Sequence, residues 1–245
     1  MENGPTKLYE YQEQDINKLF ERLEAVDRNH RLLYQLPTGG GKTVIFSEIA
    51  RRFFEKYRRK VVILTHRIEL CRQTSSTLKS AGIKNRLITS AQKRIRRDAT
   101  PCFVAMVETL NNRIEDGYID TNEIGLVIID EAHHNSFRKL LDKFSNASVI
   151  GVTATPLSSD PEQPMNKSYD ELIMGESIKG LIEQGFLAKP TVWRYDVELN
   201  TLKTTAQGDF TISTSDELYS SPAMLQLLLD AYQAHSRNKK TLIFN

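Results

Sequence analysis

Apolar residues along this chain follow two alternating rhythms. Short unbroken runs at Leu32–Leu36, Val61–Leu64, Cys102–Met106, Leu126–Ile129 and Val149–Thr153 have the pattern of parallel strands buried on both faces. Asn85–Thr89 reads as a further short strand. Between these runs the period changes to that of a helix. Ile16, Leu19, Phe20 and Leu23 mark a helix from about Leu8 to Val26, and Val44–Ala50 marks one buried on one side. Val107–Asn111 opens another helix directly after a strand. Later, Leu157–Asn166 turns to Ser, Asp, Pro and Gln, a loop composition. Ile178–Phe186 predicts a short helix stopped at Gly185, and Pro190–Val197 a last strand of the domain. Thr201–Ser215 is polar without a period and reads as a linker. Met224, Leu225, Leu227, Leu228 and Tyr232 predict an amphipathic helix, and Lys239–Asn245 a closing strand. Strands alternating with helices predict an α/β fold, a mainly parallel sheet with helices on both faces. The expected domain runs over residues 6–198, with a linker at 199–215 and the start of a second domain at 216–245.

The first strand runs into Leu36-Pro37-Thr38-Gly39-Gly40-Gly41-Lys42-Thr43, and a helix follows. Strand, glycine-rich turn and helix together form the context of a phosphate-binding loop. Glycine admits positive φ and close backbone approach, and amides at a helix N-terminus attract phosphate oxygens. Thr38, Gly39, Gly40 and Gly41 would line an ATP triphosphate, Lys42 would reach its β- and γ-phosphates, and the Thr43 hydroxyl would ligate Mg²⁺. The strict pattern has glycine where this chain has Leu36. Upstream, Tyr11-Gln12 offers an aromatic to stack on adenine and an amide that can pair with its N6 and N7.

At the end of the most apolar run stand two acids, Asp130 and Glu131, followed by Ala132 and His133. Acids at the end of a buried strand are costly unless chemistry needs them. Asp130 can hold Mg²⁺, and Glu131 can orient and deprotonate an attacking water. Thr153 and Thr155 end another strand at the same sheet edge, within reach of His133 or Glu131. Thr65 and Arg67 end the second strand, and Thr109 lies in the first turn of a helix, where free amides can hold a backbone phosphate.

Composition narrows the class without naming a substrate. With 245 residues, 26% charged and 40% hydrophobic, the chain can build a large ordinary core. Its net charge is only +2, so any affinity for nucleic acid must come from local patches. Six basic residues between Arg51 and Lys60 read as a solvated helix end. Lys93–Arg97 is open to two readings, a phosphate track or a solvated loop. Cys71 and Cys102 lie far apart with no Cys-x-x-Cys partner, which predicts buried free thiols in a reducing, cytoplasmic setting. No apolar run reaches membrane-spanning length.

These motifs, in this order, resemble the first motor domain of superfamily 2 helicases in the branch with a DEAH box. The likeness is greatest to the group holding repair helicases and restriction-enzyme motor subunits. Tyr11-Gln12 looks like the adenine motif, Pro37–Thr43 motif I, Thr65-His66-Arg67 motif Ia, and Val107–Leu110 the following strand-gripping motif. Asp130–His133 looks like motif II and Thr153-Ala154-Thr155 motif III. The resemblance implies a RecA-like domain that binds ATP and Mg²⁺ and drives translocation or strand separation on nucleic acid, with DNA favoured over RNA. Lys42 and Glu131 would be catalytic, and His133, Thr153 and Thr155 would couple hydrolysis to motion. Thr65, Arg67 and Thr109 would grip the strand. Tyr9 and Glu10 stand where the family often has Arg and Pro. Motifs V and VI are absent, so the sequence is expected to be a monomeric fragment whose ATP site is completed by a second RecA-like domain.

Overall fold

The computed structural model describes residues 7–28, 30–90, 100–158, 160–197, 202–203 and 211–243. They form two compact units, residues 1–189 and 190–245.

In the first unit the elements run α1 (Glu10–Ala25), β1 (Arg31–Gln35), α2 (Lys42–Tyr57), β2 (Lys60–Thr65), α3 (Ile68–Ser80), β3 (Asn85–Ile88), β4 (Cys102–Met106) and α4 (Val107–Glu115). They continue with β5 (Ile124–Asp130), α5 (Arg138–Leu141), β6 (Ser148–Thr153), β7 (Glu171–Met174) and α6 (Ile178–Glu183). The strands make one sheet in the order β3-β4-β2-β5-β6-β1-β7, and every pairing is parallel. All strand C-termini therefore emerge at one edge, where ligands bind in open α/β sheets.

Alternation along the strands divides the core in two. Leu32, Tyr34, Ile63, Val104, Ile128 and Val152 pack on one face with Ile16, Leu19, Phe46 and Leu78, side chains of α1, α2 and α3. Leu33, Val62, Leu64, Val127 and Ile129 pack on the other with Leu110 of α4 and Leu140 of α5. Phe20 and Leu23 pack partly buried against the first cluster, as the helical spacing of α1 predicts.

In the first unit the structure adds α3, the four-residue α5 and β7 to the sequence reading. In α3 the buried positions Cys71, Thr74, Ser75 and Leu78 do recur at helical spacing, but two of them are polar, so the hydrophobic signal is thin. β7 is four residues long with one buried side chain, Ile173, too short for a pattern to show. It pairs with β1 from Leu32↔Glu171 to Gln35↔Met174.

The second unit contains α7 (Ile212–Tyr219), α8 (Pro222–Ala231) and a π-helical turn at Tyr232–Ser236. Two expected strands are not seen among the described residues. Pro190–Val197 and the described residues 239–243 have no ladder partner. Val192 and Leu242 are exposed, and the Trp193 ring stacks on His235 at 4.0 Å. β-branched and aromatic composition makes a strand only where a neighbour supplies hydrogen bonds. The linker expected to Ser215 ends sooner, because α7 begins at Ile212.

Candidate active site

The loop after β1 hangs from the sheet. Leu36 N–H donates to the Thr153 carbonyl at 3.0 Å, Gly40 N–H closes a turn on Pro37 O at 3.0 Å, and Val44 N–H begins α2 on Gly41 O at 2.9 Å. Gly39 and Gly41 have φ of 83° and 81°, the left-handed region that glycine enters without penalty. Space demands glycine as well. A Cβ on Gly41 would lie 2.5 Å from Gln12 Nε2, and one on Gly39 2.8 Å from Leu187 Cδ2. Thr38 is exposed, Thr43 half-buried, and Lys42 Nζ donates to Leu36 O at 3.4 Å.

β5 is buried along its whole length and ends in Asp130, a residue 8% exposed whose carboxylate accepts from Glu131 N–H at 3.0 Å. Burial, then the negative charge of Glu131, push the Asp130 carboxyl up to about 6, and the positive charge of Lys42 opposes them. The two motifs, far apart in sequence, thus share one field at the sheet edge. Glu131 has φ of 52°, strained for a side chain of its size. A turn holds it there. Ala132 N–H donates to Val152 O at 3.0 Å, and His134 N–H to Glu131 O at 3.1 Å.

His133 joins the acids to β6, with Nδ1 3.0 Å from Thr153 Oγ1 and 3.4 Å from Glu131 Oε2. The Thr153 hydroxyl donates to Thr155 O at 3.0 Å and accepts from Thr155 N–H at 3.1 Å. Its one proton is thereby committed, which makes His133 Nδ1 the donor. Thr155 takes part through its backbone.

At the start of α1, Tyr11 and Gln12 face the loop rather than solvent. Tyr11 is 6% exposed and donates to the Gly40 carbonyl at 2.8 Å. Gln12 is 3% exposed; its Oε1 accepts from Tyr9 N–H at 3.0 Å and its Nε2 donates to the Tyr11 hydroxyl at 3.3 Å. Both residues brace the loop from beneath, in a capping-box arrangement at the start of α1. The exposed ring is Tyr9, at 54%, stacked on Tyr11 at 6.2 Å and tilted against Phe186 at 4.5 Å. Sequence reasoning passed over Phe186 and Leu187; the signal is the helix stop at Gly185 immediately before them.

The three expected strand-gripping residues have different surroundings. Arg67 is exposed and Thr109 half-buried. Thr65 is fully buried, its hydroxyl donating to Arg67 O at 3.1 Å and lying 2.8 Å from Cys71 Sγ, so it shapes the turn and is not presented to a phosphate. The Lys93–Arg97 run lies outside the described residues. In the other basic stretch, Arg51 pairs with Glu48 and Glu55, Arg52 with Glu13 and Glu48, and Lys56 with Glu24. Those cations are engaged within the fold. Cys71 and Cys102 are buried and free.

The chain is similar to known proteins over most of its length. The chain is 30% identical over 259 residues to the putative ATP-dependent helicase IRC3 of Saccharomyces cerevisiae, covering 96% of this chain and 36% of that one. It is 30% identical over 202 residues to the type I restriction enzyme EcoAI endonuclease subunit of Escherichia coli, covering 78% and 24%. The chain thus spans about a third or less of these relatives' lengths. Among solved structures, the type ISP restriction-modification enzyme LlaGI in complex with a DNA substrate mimic superimposes with a TM-score of 0.58 at 18% identity. That match covers 74% of this chain and 21% of LlaGI, and it shows the shared RecA-like fold. Residues 5–158 match the family described as type III restriction enzyme, res subunit, and the chain belongs to that family.

Proposed function

We propose that the chain is an ATP-binding motor domain whose parent protein hydrolyses ATP to move along or separate nucleic-acid strands, DNA favoured over RNA. The observation that carries this reading is the meeting of two motifs at one sheet edge. The glycine loop bearing Lys42 lies close enough to the buried Asp130 for its charge to bear on that carboxyl. The residues present fit ATP and a divalent cation. Gly39 and Gly41 take the left-handed φ that turns the loop into the N-terminus of α2, and Asp130 is a buried carboxylate short of positive charge.

Lys42 would neutralise the β- and γ-phosphates, while Thr43 and Asp130 would hold the cation. Mg²⁺, when bound, supplies charge neutralisation across the phosphates. Glu131 is the residue placed to orient and deprotonate water, with the His133 ring, held by Thr153, 3.4 Å from its carboxylate. Tyr9 offers the exposed face for the base. Arg67 and Thr109 are the proposed contacts to strand phosphates, which would make strand binding sequence-tolerant and salt-dependent. The names of the relatives, two of them restriction enzymes, support DNA. Residues 6–198 would form this motor domain and 216–245 the start of a second.

Calorimetric titration with Mg²⁺–ATP tests the site. The chain should bind, and Lys42→Ala should weaken binding about tenfold or more through loss of a charge-assisted contact, at an unchanged melting temperature. Equal affinity for the two proteins would overturn the assignment. In the complete parent protein, nucleic acid should stimulate hydrolysis; hydrolysis indifferent to nucleic acid would favour a nucleotide switch over a motor.

A further inference from the structure

Beside Glu131 lies an open cavity of about 550 Å³ lined by His66, Arg67, Glu69, Leu70, Glu131, His133 and His134. Its histidines form a continuous row. The His66 and His134 rings lie 4.3 Å apart at 41°, and the His134 and His133 rings 4.3 Å apart at 37°. His66 stands at the exit of β2, one residue before the exposed Arg67. His134 closes the turn at the exit of β5 by donating its backbone N–H to Glu131 O at 3.1 Å. A single ring contact therefore joins the segment expected to touch a strand to the turn that sets Glu131.

Three features suit this contact to transmit a movement. Glu131 holds its left-handed φ of 52° only because that turn is closed, so a shift of His134 acts on a backbone already under strain. His66 Nδ1 is buried and has no hydrogen-bond partner among the described residues, so the ring is positioned by its packing and not by a bond through that nitrogen. Burial, then the charge of Arg67, lower His66, while burial and the neighbouring His133 and His66 lower His134, so near neutrality the rings meet as uncharged aromatic surfaces that stack without repulsion.

We propose that the His66–His134 ring contact is a positioning link, by which the Arg67 segment and the Glu131 turn take up one arrangement together. The proposal rests on the ATP-binding reading above. Neither histidine is assigned a contact with nucleotide, metal or reacting water. The link predicts reciprocal coupling, in which a nucleotide that settles the Glu131 turn changes affinity for a strand, and a bound strand changes affinity for nucleotide by the same factor.

The test measures binding of a fluorescein-labelled dT20 oligonucleotide to the 245-residue chain by anisotropy, with and without Mg²⁺–ADP–beryllium fluoride. Nucleotide binding alone is measured by calorimetry. For the wild type, nucleotide should change the oligonucleotide Kd by about fivefold or more. His66→Ala and His134→Ala should bring that ratio to about one, each ligand binding alone as in wild type. His66→Phe, which keeps a ring but no ring nitrogen, should retain most of the coupling, a rescue that an ordinary packing role in folding would not produce. Melting temperature screens each variant; should His66→Ala fail to fold, His134→Ala carries the test from the other ring. The link is overturned if wild type binds both ligands without coupling, if an alanine variant keeps the wild-type ratio, or if His66→Phe loses it. Wild type that binds no nucleotide overturns the ATP reading and the link together, and calorimetry alone identifies that outcome.

Discussion

Asp130 shows how much a single residue gives up for its position. Its carboxyl stands at about 6 in the fold against 3.8 for the free side chain. Between those values the folded chain holds a proton that the unfolded chain has released. Stability attributable to this group therefore falls as pH rises from about 4 to about 6, and the penalty stays in full above that. Asp130→Asn keeps an oxygen that can accept from Glu131 N–H but removes the buried charge. Its melting temperature at pH 7.5 should exceed that of the wild type by about 3–6 °C, the gap closing toward pH 4. Equal melting curves at pH 7.5 would show that the carboxylate is already compensated in the nucleotide-free chain. On the proposed reading the residue would be kept for the cation it holds, at a cost to the fold. Such a conflict is visible in sequence, since two acids ending a run of buried aliphatics have no structural motive. What sequence could not show is which groups compensate them. The His133–Thr153 bond and the left-handed Glu131 arise from the register of β5 on β6, and no local pattern encodes the register between two such strands.

At the scale of elements, the sheet tolerates little change where a glycine admits a neighbour. Gly151 in β6 makes room for the Tyr169 ring, whose Cζ would be 2.5 Å from a Cβ placed there. Tyr169 is 6% exposed, and the ring cannot swing clear. Gly151→Ala should cost about 1–3 kcal/mol by overpacking, read by urea unfolding, and adding Tyr169→Leu should restore much of it. An undiminished Gly151→Ala would mean that the loop carrying Tyr169 yields. The long buried strands and α1 and α2 were legible because each shows enough apolar residues at one period. β7 and α3 were not, one for brevity and the other because Thr74 and Ser75 occupy buried positions. The two expected late strands failed for the opposite reason. Their composition favours extension, but extension becomes a strand only beside a partner, and none of the described residues pairs with Val192 or Leu242. Tyr11 and Gln12 were legible as important, yet the pattern pointed outward to a base, whereas burial turns both residues inward to the loop.

For the molecule as a whole, the buried hydrophobic residues among those described all belong to residues 1–189. In the second unit Leu225, Leu228, Leu229 and Tyr232 are all exposed. Residues 1–189 expressed alone should therefore melt cooperatively within a few degrees of the full chain, while 190–245 alone should show no cooperative transition by circular dichroism. A fragment 1–189 that fails to fold would place part of the core energy in the second unit. The end of the first unit is fastened in a particular way. After Gly185, the N–H groups of Phe186 and Leu187 both donate to the Leu181 carbonyl, at 2.8 and 3.0 Å. Leu187 then rests where a Cβ on Gly39 would be. A pull on the chain beyond Lys189 thus reaches the phosphate loop after only two residues, without crossing the sheet. On the proposed reading, the tether of this unit and the grip on its nucleotide would be one joint, so that tension on the chain past Lys189 would be felt first as a loosened hold on the nucleotide.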